Sequence, residues 1–334
     1  MIIVVLAAAA GLYLRRQGWP MSLIAEPCKG PESQRVDCFD KYFNGVIRSQ
    51  GAPEAERQIE YFAAHDQAVE ADCHPIMHTI GRNAYRFYGS VTAATKYATE
   101  FCWSGYYHGV MEAYMAQFDD AKLMTQMPKI CQQTPGKPYS FDYYNCLHGL
   151  GHGVTIRFNN DIMKALPYCD ALIGQWEQES CYSGAFMQNI VVDGVNHKSV
   201  NLKADDPVYP CDVVPDRMKE SCYLMVTSNI LKVNGYDYAA GFKTCDAVEA
   251  DYVATCYQSE GRDISGAMLL DPAKIVPLCD EGAPEHQADC VIGAVKNAVF
   301  NDRGVTRADA LCRAVDGRFT AVCDQARNEA ASTL

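Results

Sequence analysis

No C-x-x-C pair occurs in this chain of 334 residues, although it carries sixteen cysteines. That absence argues against zinc ribbons, thioredoxin-like redox motifs and covalently attached c-type haem. A G-x-S-x-G elbow, a phosphate-binding glycine loop, a dinucleotide fingerprint and an H-E-x-x-H helix are missing too, so serine hydrolase, kinase and nicotinamide readings have nothing to rest on. There is no basic stretch to neutralise phosphates, and a net charge of −12 argues against nucleic acid as a partner. No N-x-[ST] sequon is present. The apolar run Ile2 to Leu14 has only thirteen residues, short for a membrane span and right for the core of a signal peptide. Its flanks conflict with that reading, because Arg15 and Arg16 follow the run, an order that would keep the rest of the chain inside. The cysteines point outside and outweigh two arginines. Residues 1–27 are therefore read as a signal or anchor segment with a linker, and a membrane tether through residues 2–14 is the alternative to cleavage near Ala7 to Ala9.

What the chain does have is cysteine at regular spacing. Read in order, neighbours pair as Cys28/Cys38, Cys73/Cys102, Cys131/Cys146, Cys169/Cys181, Cys211/Cys222, Cys245/Cys256, Cys279/Cys290 and Cys312/Cys323. The last four gaps are each 11 residues, and Cys169 to Cys181 is 12. Second members recur at 35, 29, 44, 35, 41, 34, 34 and 33 residues from Cys38 to Cys323, with Cys73 counted among them. A period near 34 marks a helix-turn-helix array, in which each hairpin buries its apolar face on its neighbours. An even count in this pattern predicts structural disulfides and hence an oxidising compartment, periplasmic or secreted.

Local sequence agrees with a hairpin. Four first-position cysteines precede Asp (Asp170, Asp212, Asp246 and Asp280), after a short helical stretch and before an apolar run such as Cys290 to Phe300. The reading places each first cysteine at the end of helix A, Asp in the turn, and each second cysteine in the first turn of helix B. Closing a loop of about 11 residues stabilises by roughly 2–3 kcal/mol in the chain-entropy model. The fold class expected is all-α: a disulfide-stapled array of about eight hairpins, either an open α-solenoid or a closed α/α toroid. It forms one domain over 28–334, with a histidine-rich first half (73–160) and a variable second half (161–325). In period and hairpin layout, Cys28 to Cys323 is similar to the short α-hairpin repeat proteins of the tetratricopeptide and Sel1 type, including their disulfide-stapled exported relatives. The characteristic residue patterns of those repeats are not matched, so no functional residue is carried over.

Five of eight histidines occupy related places in three successive units. His108 and His152 each lie six residues after a helix-B cysteine and precede a glycine. The same place elsewhere holds Asn44, Met187, Ser228, Arg262 and Lys296, so one surface varies in chemistry while its frame stays constant. Three pairs of candidate ligands stand four apart, on one helical face: His74/His78, His108/Glu112 and His148/His152. Together they form a candidate site for a transition metal such as zinc, copper or iron, mononuclear and crowded or dinuclear. His74 and His78 are one and five residues past their cysteine, not two and six, a turn of about 100° that would aim them elsewhere. Gly149, Gly151 and Gly153 cost the helix roughly 0.8–1 kcal/mol each against alanine. Either a neighbouring helix or a ligand must need that space. Arg82, Arg157, Tyr106, Tyr107 and Asn189 are candidates to surround the cluster, while His65, His197 and His286 read as surface or loop residues.

These residues point to an exported metalloprotein, with Glu112 as ligand or general base and Arg82 orienting an anionic substrate. A metal-dependent hydrolase and an oxygen or redox enzyme both fit. The competing reading is a metal-free scaffold that binds a small molecule, peptide or partner protein on its concave face through Met187, Ser228, Arg262 and Lys296.

Overall fold

The computed structural model describes residues 26–99, 101–133, 139–190, 199–268, 270–315 and 317–334. The apolar run 2–14 and His197 lie outside the described residues. Every regular element among the described residues is helical: α1 (Glu32–Gln50), α2 (Ala52–His65), α3 (Gln67–Ala71), α4 (Cys73–Tyr88), α5 (Val91–Thr95), α6 (Phe101–Met115), α7 (Asp120–Ile130), α8 (Phe141–Arg157), α9 (Ile162–Cys169), α10 (Gln175–Ile190), α11 (Asp216–Tyr223), α12 (Thr227–Val233), α13 (Tyr238–Cys245), α14 (Val253–Ala267), α15 (Pro272–Cys279), α16 (Gln287–Asp302), α17 (Thr306–Ala314) and α18 (Thr320–Ala331). Short 3-10 turns cover Cys131–Gln133 and Ala250–Tyr252. Several helices start where a side chain takes the first free amides: Asp119 for α7, Ser140 for α8, Asp237 for α13 and Asp271 for α15.

All eight neighbouring cysteine pairs are disulfides, with Cα atoms 5.4–5.8 Å apart, and none is free. Eight disulfides point to an extracytoplasmic protein. Among the described residues no helix is long and apolar enough to cross a membrane. Cys169, Cys245 and Cys279 end α9, α13 and α15, as expected of a helix A. Cys38, Cys146, Cys181 and Cys222 lie in the second turn of their helices, not the first, and three first members differ as well. Cys28 precedes α1, Cys73 opens α4 instead of closing a helix, and Cys211 lies in a turn. The helix expected around Cys222 is also broken, into α11 and α12, and Arg262 Nη1 donates to the Leu224 carbonyl at the break at 2.7 Å.

The expected Asp turn carries a contact that spacing alone does not show. Two of the Asp residues that follow a first cysteine accept from the Tyr after the second: Tyr182 donates to Asp170, and Tyr257 donates to Asp246 at 2.7 Å. Disulfide and hydroxyl therefore clasp the same turn.

The longer helices pack in succession, α4 on α6, α6 on α8, α8 on α10 and α14 on α16, with α1 against α4 and α18 against α16. Three of these pairs approach closely enough to need glycine in both partners. A Cβ on Gly109 of α6 would stand 2.0 Å from the His78 carbonyl oxygen, and one on Gly81 of α4 2.0 Å from that of Tyr106. Gly151 and Gly184 face the Cys181 and His148 carbonyls at 2.0 and 1.9 Å, and Gly261 and Gly293 those of Cys290 and Gln258 at 1.9 Å each. The glycines of the histidine-rich helix thus serve helix approach: Gly151 against α10, Gly153 against Met115, and Gly149 more loosely against Met111. The last helices also meet α8. The Phe141 amide donates to the Thr333 carbonyl at 2.8 Å, Phe141 and Phe300 stack at 5.0 Å, and Arg303 pairs with Asp142 at 2.7 Å.

Buried apolar side chains form two clusters that meet on α6. One runs from Cys28 to Tyr106 and Val110, and the other from Met111 and Met115 to Ala330. The histidines sit at this junction.

Candidate metal centre

Helices α4, α6 and α8 bring all five cluster histidines together. His78, His108, His148 and His152 are buried and His74 is half-buried. His108 lies in the middle, its ring centroid 3.7 Å from His152 in a parallel stack, 5.2 Å from His78, 5.4 Å from His74 and 5.6 Å from His148. Two groups of three, His74/His78/His108 and His108/His148/His152, each offer one nitrogen per ring with all three inside 4.8 Å.

His74 and His78 do face the others, against the expectation from their offset. Cys73 pairs forward to Cys102, so it does not set the frame of α4; packing on α6 does. Gly105, three residues after Cys102, faces the His74 carbonyl as Gly184, three after Cys181, faces that of His148. The closer, reciprocal contacts, Gly109 on the His78 carbonyl and Gly184 on that of His148, make His78 the counterpart of His148 and Glu112 that of Met187.

Hydrogen bonds decide which ring nitrogen carries the proton. His74 Nδ1 donates to the Cys102 carbonyl at 2.7 Å, and His78 Nδ1 donates to Glu112 Oε1. His152 Nδ1 donates to Gln188 Oε1 at 2.9 Å, an amide oriented by its own bond to Asn160 at 3.3 Å. His148 Nδ1 lies 2.9 Å from Ser183 Oγ, whose hydroxyl donates to the Ser180 carbonyl at 2.8 Å, and 3.1 Å from the Tyr144 hydroxyl. A neutral ring that donates through Nδ1 keeps its lone pair on Nε2, and the Nε2 nitrogens face each other: His74 and His78 at 3.0 Å, His148 and His152 at 3.2 Å. Lone pairs this close repel unless a cation sits between them. Two nitrogens bound at about 2.0–2.1 Å to one ion stand roughly 2.8–3.4 Å apart for bond angles of about 90–110°.

Electrostatics keep three of the histidines neutral. Burial first, then the neighbouring histidines, holds His108 and His152 well below the ordinary histidine range. Burial and then the Arg262 charge push His148 down to about 3. Both ring nitrogens of His108 are buried with no hydrogen-bond partner among the described residues. Each such buried polar atom costs about 1–3 kcal/mol, an unusual expense at the centre of a cluster.

Glu112 belongs to neither group of three. Its Oε1 accepts from His78 and its Oε2 from Arg82, at 2.7 Å for the latter, so both oxygens are occupied behind the histidine. Burial alone would raise this carboxyl, but its contacts with His78 and Arg82 outweigh it and hold it well below the usual carboxylate range. Carboxylate behind histidine is the arrangement that orients a metal ligand. Arg157 turns away to pair with Asp120 at 2.8 Å, and Tyr106 lies in the core with its hydroxyl on the Ala94 carbonyl. Asn189 accepts from Ser199, His65 is exposed, and His286 pairs with Asp289. Ser183 and Gln188 were not foreseen as partners of the histidines. Both are ordinary polar residues whose only signal is their place on α10, along the face that meets α8.

A cavity of about 300 Å³ opens beside His108 and His148 and is lined further by Tyr144, Met187, Arg262 and Lys296. Three of these, Met187, Arg262 and Lys296, are the variable positions six residues past a helix-B cysteine. Arg262 is held by Asp263, Ser228 and the Leu224 carbonyl, while Lys296 Nζ donates to Gln258 Oε1 at 3.3 Å. No protein-family model matches the chain, and no curated protein or solved structure is significantly similar to it.

Proposed function

We propose that this chain is an exported metalloprotein, periplasmic or secreted, in which an array of disulfide-stapled helical hairpins presents a five-histidine transition-metal centre to an internal cavity. The observation that carries this reading is the pairing of Nε2 atoms at 3.0 and 3.2 Å. The recurrent glycine-to-carbonyl contacts of α4/α6, α8/α10 and α14/α16 support a repeat, and the Phe141 to Thr333 contact supports closure of the later repeats into a ring.

The ligands in this reading are His74, His78, His108, His148 and His152. In this reading Glu112 positions His78 and is itself positioned by Arg82, and it serves as neither ligand nor base. The cavity is at the small end of ligand sites, which favours a small molecule over a peptide. A metal next to such a cavity suits enzymatic work on a bound small molecule, in which the ion acts as Lewis acid or redox centre.

Separate His108→Ala and His152→Ala variants test this. Each is expected to lower bound metal per chain with helicity unchanged by circular dichroism. Unchanged metal content in both would contradict the proposal.

A further inference from the structure

The two ends of the histidine cluster differ in their donors, and that difference bears on which metal is bound. The α4/α6 and α8/α10 pairs are related by the reciprocal glycine contacts described above, which place His78 on His148 and Arg82 on His152. The same relation places Glu112, three residues after Gly109, on Met187, three residues after Gly184. In α14/α16 the corresponding residues are Gln258, Arg262 and Lys296.

The contact between these positions recurs as well. Lys296 Nζ lies 3.3 Å from Gln258 Oε1, and Met187 Sδ lies 3.4 Å from His148 Nε2. In the first the pair is ammonium and amide. In the second it is thioether and the imidazole nitrogen that already faces His152 Nε2 at 3.2 Å. An ion bound at about 2.0 Å to nitrogen and about 2.3 Å to sulfur separates the two donors by roughly 3.4 Å at an angle near 105°. The observed spacing meets that requirement.

We infer that Met187 is a metal ligand and that His148, His152 and Met187 form a copper(I) site, distinct from the all-imidazole His74/His78/His108 group. This rests on the proposed metal centre and adds to it the identity of one ion. Thioether sulfur is a soft donor that selects copper(I), whereas imidazole alone accepts zinc, copper, iron or nickel. Half-buried Met187 lines the cavity beside His148, so this site is open to whatever enters there. His108 stacks on His152 between the two sites and can close the coordination of either.

The test uses the full disulfide-bonded chain, with copper(I) supplied anaerobically under ascorbate and its affinity read by competition with a chromophoric chelator. Zinc affinity is measured in parallel, and copper X-ray absorption reports the donors. All sixteen cysteines are in disulfides, so a sulfur scatterer comes from a thioether. Met187→Leu conserves volume while removing the sulfur, and circular dichroism checks that it folds as the parent does. The expected result is a sulfur scatterer in the parent that disappears in Met187→Leu, with copper(I) affinity lowered at least tenfold and zinc affinity unchanged. Metal bound by the parent without a sulfur scatterer, or copper(I) held equally tightly by Met187→Leu, overturns the copper site and leaves the histidine centre standing. A parent that takes up neither copper nor zinc overturns both.

Discussion

A Cβ on Gly184 would stand 1.9 Å from the carbonyl oxygen of His148, so the helix that carries one ligand pair is held against its neighbour at backbone contact. The fold and the site are joined at this point. The missing side chain lets α10 come near enough for Ser183 to reach His148 Nδ1 and for Gln188 to take the Nδ1 proton of His152.

Gly184→Ala is therefore expected to force α8 and α10 apart, at a cost of about 1–3 kcal/mol or more, and to weaken metal binding with it. Gly266, with open space where its Cβ would lie, is the control. Gly266→Ala should be neutral or stabilising by up to about 1 kcal/mol, as alanine is in a helix. Denaturant unfolding of both variants gives the comparison.

Glu112→Gln separates a ligand from a positioning group. With the carboxylate behind His78, the substitution should lower metal affinity about 10–100-fold while the number of ions bound at saturation stays the same. A lost ion at saturating metal would mean that Glu112 coordinates directly.

The disulfides differ in what they support. Replacing Cys279 and Cys290 together by Ser should cost about 2–3 kcal/mol and leave metal content intact, because α15 and α16 carry no cluster histidine. Replacing Cys73 and Cys102 should lower stability by a comparable amount and lose metal as well, since His74 follows Cys73 and donates to the Cys102 carbonyl. Metal analysis beside denaturant unfolding distinguishes the two.

Acid and base should act on the fold in a definite direction through Glu260. It is completely buried on α14, and burial first, then the charges of Asp263, Glu281, Asp237 and Asp246, push its carboxyl up from 4.5 to about 9. The folded protein thus keeps a proton that the unfolded chain releases. The stability this proton contributes is fully present below about 4.5 and is lost as pH rises toward about 9, by about 1.4 kcal/mol for each pH unit in between. Glu260→Gln needs no proton there, so its stability should fall less than the parent's between pH 5 and pH 9. Denaturant melts at both ends of that range measure the difference.

Much of this was legible in the residues. Reading the cysteines as neighbouring pairs matched all eight disulfides. Counting from those cysteines also placed Met187, Arg262 and Lys296 on one wall, where the cavity is. The frame failed at Cys73, which begins a helix instead of following a turn, so the orientation of His74 and His78 had to come from packing. Two further features were hidden for a different reason. The break between Tyr223 and Thr227 and the contact of Phe141 with Thr333 depend on partners far away in sequence, and no local pattern announces them. The reading of Glu112 as a ligand came from helical spacing, which shows that two groups share a face but not that one is already claimed by Arg82.

The most direct measurement is metal content by mass spectrometry on untagged protein exported into an oxidising compartment, with free thiols titrated on the same sample. At least one transition-metal ion per chain with no free thiol is the predicted result. Protein without free thiols that holds no metal, even after reloading with zinc and copper, would contradict it, and would leave the five histidines as a polar seam between two cores.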